Sequence, residues 1–251
     1  TCELEPHALS GNGRHVALIC GTAMVPGATS GQVYVRDLQA NTTELVSRSA
    51  SATAGSTAFA YRPAISPSGR FVSFQKRGYG GLGYADGATA EGNSGVYLRD
   101  RQTQSIIAIP RPSAVASDSY DSCNVSAVSD VGVTMLSCGL RVGTSLVQQV
   151  FVYVPGAGAP EILSVNASNQ PGTSASGYSL AINGSGLSMA FESGAANIDP
   201  GDGNDASDIF VFADESMFTD LIFANGFDAA ARQASAGRAR LAAIAPGAAH
   251  D

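Results

Sequence analysis

An acidic stretch in the last third of the chain has the composition of a calcium loop. Its oxygen-bearing side chains lie within ten residues around two glycines and are Asp199, Asp202, Asn204, Asp205 and Asp208. Calcium prefers hard oxygen ligands in a flexible loop, so these residues are predicted to form a calcium site. The spacing is not that of an EF-hand, because no glutamate follows about twelve residues on. The alternative is turn formation, since Asp and Asn side chains bond their own backbone in tight loops.

A second candidate site lies in the longest insertion, residues 75–94. Its chemistry-bearing side chains are Arg77, Tyr79, Tyr84 and Asp86. Aromatic rings stack on the apolar faces of sugars, and charged groups bond the sugar hydroxyls, so this loop is predicted to bind a ligand such as a glycan. The alternative is that the loop packs against its neighbour and binds nothing.

No catalytic motif is recognisable, and no catalytic residue is predicted. The sequence contains no Gly-x-Ser-x-Gly elbow, no His-Glu-x-x-His helix and no glycine-rich phosphate loop before a helix. Carboxylates that distant segments bring together remain an open alternative. We therefore favour a chain that is not an enzyme. No cofactor is required by any motif, and calcium is the one that the residues suggest.

A nine-residue pattern recurs four times and must position these residues. Its clearest copy is residues 66–74, SPSGRFVSF, and looser copies begin at Ser10, Ser129 and Asn183. Each copy reads as a short apolar strand, a tight turn closed by Gly and a second strand with alternating apolar residues, which is a β-hairpin signature. A further apolar run follows each hairpin and begins at Val33, Val96, Val150 and Ile209. A weaker run closes each unit, in the last one at residues 220–223.

Four strands per unit, repeated at intervals of 54 to 63 residues, predict an all-β fold. The expected architecture is a β-propeller, with four blades of four antiparallel strands each. One blade cannot bury both faces of its sheet, so the blades must stack around a common axis.

The repeat resembles a known family. Residues 66–74, followed by VYLRD at 96–100, look like the TolB-type, WD-like propeller repeat of bacterial envelope and secreted proteins, and residues 197–211 are similar to its middle loop and third strand. The resemblance implies a propeller that acts as a binding platform or as a partner domain of a larger protein. Such propellers usually have six or seven blades. The chain therefore forms a four-bladed ring, belongs to a longer protein or completes itself by association.

The cysteines fall into two pairs, Cys2 with Cys20 and Cys123 with Cys138. Each pair flanks the equivalent hairpin, in blades one and three. Neighbouring antiparallel strands bring Cα atoms to within about 5.5 Å, which is inside disulfide reach. We therefore predict two disulfides and an oxidising compartment. The alternative is four unrelated buried thiols, and zinc is disfavoured because no Cys-x-x-Cys spacing occurs.

The predicted propeller covers residues 1–223, and a C-terminal motif with an Ala- and Arg-rich tail covers 224–251. The blades are expected at residues 4–47, 61–109, 122–164 and 178–223. The middle loop of blade three is expected at residues 139–148. The dipeptides Arg36-Asp37 and Arg99-Asp100 recur at one blade position, which favours a structural turn.

In an up-and-down blade the first and third turns emerge on one face, here called the turn face. The second turn and the link to the next blade emerge on the other, here called the long-loop face, and every long segment of this chain belongs to that set. Loops on a rigid scaffold carry binding sites. We therefore expect a protein or glycan ligand there, and the hypotheses are a binding or scaffold module, a lectin-like propeller, or the propeller part of a secreted hydrolase or lyase. Self-association is a further expectation.

Composition narrows the environment and the partners. The net charge of −7 disfavours nucleic acid, because no basic stripe is present to neutralise phosphates. No apolar run reaches the roughly 18 residues of a membrane span. Together with the predicted disulfides, this favours a secreted, periplasmic or cell-surface protein.

Overall fold

The computed structural model describes residues 1–48, 59–77, 94–115, 123, 126–142, 144–202, 206–213 and 242–244. Within this part of the chain every regular element longer than a turn is a β-strand. The same residues contain no helix of the length and apolarity needed to cross a membrane. The all-β class that the repeat predicts is therefore confirmed.

The strands form four antiparallel sheets of four strands each. Blade one contains β1 (Cys2–Glu3), β2 (His15–Cys20), β3 (Gln32–Asp37) and β4 (Thr42–Leu45). Blade two contains β5 (Phe59–Ile65), β6 (Phe71–Arg77), β7 (Ser94–Asp100) and β8 (Ile106–Ala108). Blade three contains β9 (Ser126–Val128), β10 (Thr134–Val142), β11 (Ser145–Tyr153) and β12 (Glu161–Ile162). Blade four contains β13 (Ser176–Ile182), β14 (Ser188–Ser193), β15 (Asp208–Ala213) and β16 (Ala242–Ile244).

Each sheet keeps its strands in chain order, and the four sheets form a four-bladed β-propeller. The first strand of blades two, three and four packs against strands of the preceding blade. Apolar clusters fill these junctions because the alternating residues of each blade face a neighbour on both sides. Representative members are Val33 and Phe74 between blades one and two, Leu98 and Phe151 between two and three, and Val150 and Phe191 between three and four.

The first turn of every blade ends on a glycine with a positive φ, as the hairpin pattern predicts. These φ angles are 70° at Gly13, 79° at Gly69, 84° at Gly132 and 77° at Gly186. A residue with a Cβ adopts this region at a cost of roughly 1–2 kcal/mol, which explains the glycine that closes each copy of the repeat.

Both predicted disulfides are present. Cys2 and Cys20 are direct partners in the β1–β2 register, with Cα atoms 4.1 Å apart, and Cys123 and Cys138 have Cα atoms 3.9 Å apart. Cys20, Cys123 and Cys138 are buried, so the second bond lies inside the apolar cluster between blades two and three. Two disulfides indicate an oxidising environment.

Two strand assignments differ from the sequence-based expectation. The expected middle loop at residues 139–148 is mostly strand, because β10 and β11 continue their ladder from Thr134↔Tyr153 out to Val142↔Ser145. The fourth strand of blade four is Ala242–Ile244, from the predicted tail, whereas the expected strand at 220–223 lies outside the described residues. A three-residue outer strand has too little alternation to be recognised by pattern. Blades one, two and four also begin slightly before the predicted boundaries, at Cys2, Phe59 and Ser176.

Candidate binding surface

The first turns of the four blades meet on the turn face and are joined there by hydrogen bonds. The Gly11 amide donates to the Pro67 carbonyl at 2.8 Å, and the Asp130 amide donates to the Gly184 carbonyl at 2.8 Å. The Asp130 carboxylate also accepts from the Ser68 amide at 2.7 Å. Each bond crosses from one blade to the next, so the centre of the turn face is a bonded scaffold.

A small cavity of about 140 Å³ lies behind these turns. Its walls are mostly apolar and come from the inner segments of all four blades: His7, Leu9, Gly11, Ile65, Pro67, Ala127, Val128 and Ile182. Sites for organic ligands usually measure about 300–1,000 Å³ and hold several convergent polar groups. This cavity therefore suits core packing better than ligand binding.

The recurring Arg-Asp dipeptides are turn elements, as expected. The Asp37 carboxylate accepts hydrogen bonds from the amides of Gln39 and Ala40, both at 2.9 Å, and Asp100 accepts from Gln102 at 2.9 Å. The arginine partners stand just before the neighbouring strands, Arg14 before β2 and Arg70 before β6. Each reaches its aspartate through two nitrogens, at 3.0 and 2.7 Å.

These contacts also set the protonation of both carboxyl groups. The Arg14 hydrogen bond, with backbone donors, holds the pKa of Asp37 far below its ordinary value. The Arg70 hydrogen bond lowers the pKa of Asp100 to about 2. Both aspartates are therefore charged at neutral pH. A paired, charged aspartate that caps a turn has a structural role in the scaffold.

His15 completes the contact between blades one and two on the turn face. Its Nε2 lies 3.5 Å from an Asp37 oxygen, and its ring lies against Gly69, where a Cβ would come within 2.5 Å of Nδ1. Burial, and next to it the Arg101 guanidinium, lowers the pKa of His15. The ring is thus neutral at neutral pH and acts as packing between two blades.

The long-loop face presents an aromatic side chain that the sequence analysis did not single out. Phe59 opens β5, and 61% of its surface is exposed. Its ring lies on the backbone of Gly31, where an added Cβ would come within 2.1 Å of the ring, and φ is +67°. The Ala60 amide donates to the Gly31 carbonyl at 2.8 Å and fixes the two segments together. One ring face is therefore held on the backbone while the side chain remains open to solvent.

Phe59 is also paired directly with Arg77 in the β5–β6 register. Arg77 is the last residue of β6, so it stands where the predicted ligand loop begins. The other three residues predicted for that site, Tyr79, Tyr84 and Asp86, lie outside the described residues. The structure thus places an exposed aromatic ring at the base of this loop.

Two further large apolar side chains are exposed on the long-loop face, Met24 and Leu146. Met24 lies in the second connection of blade one, where its amide donates to the Tyr34 hydroxyl at 3.3 Å. Leu146 is carried by the β10–β11 ribbon, opposite Arg141. Single exposed apolar residues are common on protein surfaces, but here each is held by a strand or a bonded loop.

Lys76 lies next to Phe59 in the β5–β6 ladder, and it is the only lysine of the chain. It pairs with Ala60 in the β5–β6 register and is fully buried between blades one and two. Burial lowers the pKa of its amine to about 7. The sequence analysis missed it because the insertion was expected to begin at residue 75, which placed Lys76 in a loop.

Only some of the predicted calcium residues lie in the described part of the chain, and Asp199 and Asp202 there form a turn. The Asp199 carboxylate accepts from the Gly201 amide at 2.8 Å, and the Asp199 carbonyl accepts from the Asp202 amide at 3.1 Å. Asp208 opens β15 and is buried, while Asn204 and Asp205 lie outside the described residues. Within the described ranges no three His, Cys, Asp or Glu side chains are close enough to hold a metal. Calcium at this loop stays a prediction.

Comparisons with known proteins give similarity in fold only. No protein-family model and no curated protein matches the chain. Among solved structures, the chain is similar to the tricorn protease, with 14% identity and a TM-score of 0.48, over 82% of this chain and 17% of that one. It is also similar to Kuenenia stuttgartiensis hydrazine synthase, with 12% identity and a TM-score of 0.41, over 82% of this chain and 51% of that one. The chain thus spans a small part of the first protein and about half of the second, and the propeller assignment depends on its own four sheets.

Proposed function

We propose that the chain is a non-catalytic binding or scaffold module that holds a protein partner on its long-loop face. The observation that supports this most is Phe59, an exposed ring held in place on the backbone of Gly31. Aromatic residues are enriched at protein interfaces, where a few well-placed side chains contribute most of the binding free energy. A ring fixed before binding loses little conformational entropy when the partner arrives.

The arrangement of the two faces supports the same proposal. The turn face is tied together by hydrogen bonds between blades, whereas the long-loop face carries the connections of varied length. The two disulfides fit an extracytoplasmic location, which we include in the proposal as secreted, periplasmic or cell-surface. A TolB-type relationship is part of it as well, supported by the SPSGRFVSF repeat and by VYLRD at residues 96–100.

The direct test is partner capture with matched variants on the two faces. Immobilised wild-type protein is exposed to envelope and culture-medium extracts of the source organism, beside Phe59→Asp and Leu38→Asp. Leu38 is a suitable control because it is also large, apolar and exposed but follows β3 on the turn face. We expect a protein retained by wild type and Leu38→Asp and lost from Phe59→Asp. Equal retention by all three, or loss from Leu38→Asp alone, would contradict the proposal.

A glycan ligand is the second candidate, because Phe59 stands beside Arg77 at the base of the loop that carries Tyr79 and Tyr84. An aromatic ring with one open face stacks on a pyranose. On a glycan array, Phe59→Tyr should keep binding and Phe59→Ala should lose it. Loss of glycan binding in the presence of a chelator would support a calcium site at residues 199–208. If wild type binds no glycan on the array, this second candidate is excluded.

A further inference from the structure

The fourth junction of the ring, between blades four and one, differs from the other three. Apolar clusters fill the junctions between successive blades from one to four. Among the described residues, no such cluster joins blade four to blade one, since the remaining one lies within blade one. In the part of the chain that the structure describes, blades four and one therefore share no apolar cluster of the kind that joins the other blades.

Equivalent positions show this difference on blade four. Val33, Val96, Val150 and Ile209 occupy the same place in the third strand of each blade, opposite Ile19, Gln75, Ser137 and Glu192. The first three are 0%, 2% and 0% exposed because the next blade covers them, whereas Ile209 is 41% exposed. The blade-four end face, defined by Ala190, Glu192, Ile209 and Val211, is thus a junction surface that no other described blade covers.

Blade one shows the complementary difference on its opposite side. Leu9, Ile65 and Val128 each precede the first turn of a blade, and Ile65 and Val128 are 4% and 3% exposed against the preceding blade. Leu9 is 57% exposed. The blade-one end face, defined by Leu9, Val16, Leu18 and Arg36, is therefore open on the side of its first turn, where Val16 and Leu18 are only partly buried. Tyr34 and Cys20 lie farther along the same side of the sheet and are covered by Val25 and Ala28 of the second connection of blade one.

We propose that two copies of this chain pair head to tail, with the blade-four end face of each packed on the blade-one end face of the other. The existing junctions support a second copy of the chain as the partner of each end face. Each of the three described junctions packs the same two kinds of blade face together. The charges also agree, with Glu192 on one end face and Arg36 on the other. A twofold axis gives such a pair two identical junctions.

The inference is independent of the proposed function and has its own test. Sedimentation velocity of the oxidised full chain should give about 51 kDa for wild type, twice the 25.4 kDa of one chain. Ile209→Glu and Leu9→Lys should each halve that mass, because each spoils both junctions of a homodimer. The control Leu38→Glu should stay dimeric. Ile209 and Leu9 are exposed in the single chain, so circular dichroism should show that both variants are folded.

Mixing the two variants distinguishes head-to-tail pairing from other dimers. A pair made of one Ile209→Glu chain and one Leu9→Lys chain has one junction that is wild type on both sides. An equimolar mixture should therefore recover mass near that of the dimer, although each variant alone is a monomer. A monomeric wild type at the highest soluble concentration would overturn the proposal. So would dimers that survive either substitution, or a mixture that stays monomeric.

Discussion

Replacing Cys123 and Cys138 together by alanine should lower the free energy of unfolding by about 3 kcal/mol, the value expected for a closed loop of roughly 15 residues. The bond joins the link before blade three to β10, and both cysteines lie in the cluster between blades two and three. Without it the unfolded chain gains freedom, and the junction loses a crosslink between its link segment and its sheet. Urea denaturation of wild type and the double variant measures the change.

A reductant provides the control for this prediction. Wild type should lose stability when both bonds are reduced, and the double variant should lose less, because only Cys2–Cys20 remains to be broken. A urea midpoint that is equal for wild type and the double variant would contradict the structural role of the bond. It would also remove the main support for an oxidising compartment.

Lys76→Met should remove a pH dependence, so that its free energy of unfolding relative to wild type falls by roughly 2–3 kcal/mol between pH 7.5 and pH 9.5. The folded-state pKa of Lys76, about 7, lies below its ordinary value of 10.5. Between these two pH values the unfolded chain binds a proton that the folded chain does not. The stability of wild type therefore rises with pH through this window, and the Met variant lacks that contribution. Denaturant unfolding of both proteins at the two pH values measures it.

The pKa itself can be read directly, because the chain has a single lysine. An NMR titration of the labelled ε-amine should give one transition near neutral pH. A transition near 10.5, together with a Met variant whose advantage does not change with pH, would show that water reaches Lys76. Blade one would then cover β6 less closely than the structure shows.

Much of the fold follows from local pattern. The turn glycines are needed for positive φ. The runs that begin at Val33, Val96 and Val150 are continuously apolar because both faces of those strands are covered. The cysteine pairs were also predictable from local pattern, because each pair flanks the first hairpin of a blade. These features depend on neighbours in one sheet, which sequence spacing encodes.

The candidate surface depends on contacts between blades, which spacing does not encode. Phe59 lies in a link rich in Ser, Thr and Ala, just before the expected start of blade two at residue 61, yet its ring lies on Gly31 of another blade. Lys76 reads as a loop residue, yet blade one covers it. The partners of Asp37 and Asp100 became clear only from the β2–β3 and β6–β7 registers, which bring Arg14 and Arg70 beside them.

The measurement that tests the central claim most directly is hydrogen–deuterium exchange of the chain with and without its captured partner. We expect protection at the second connection of blade one, residues 21–31, at the start of β5 near Phe59, and at the β10–β11 ribbon near Leu146. The turn face should exchange equally in both states. Protection confined to the first turns, around Gly11, Pro67, Asp130 and Gly184, would place the partner on the opposite face and contradict the account.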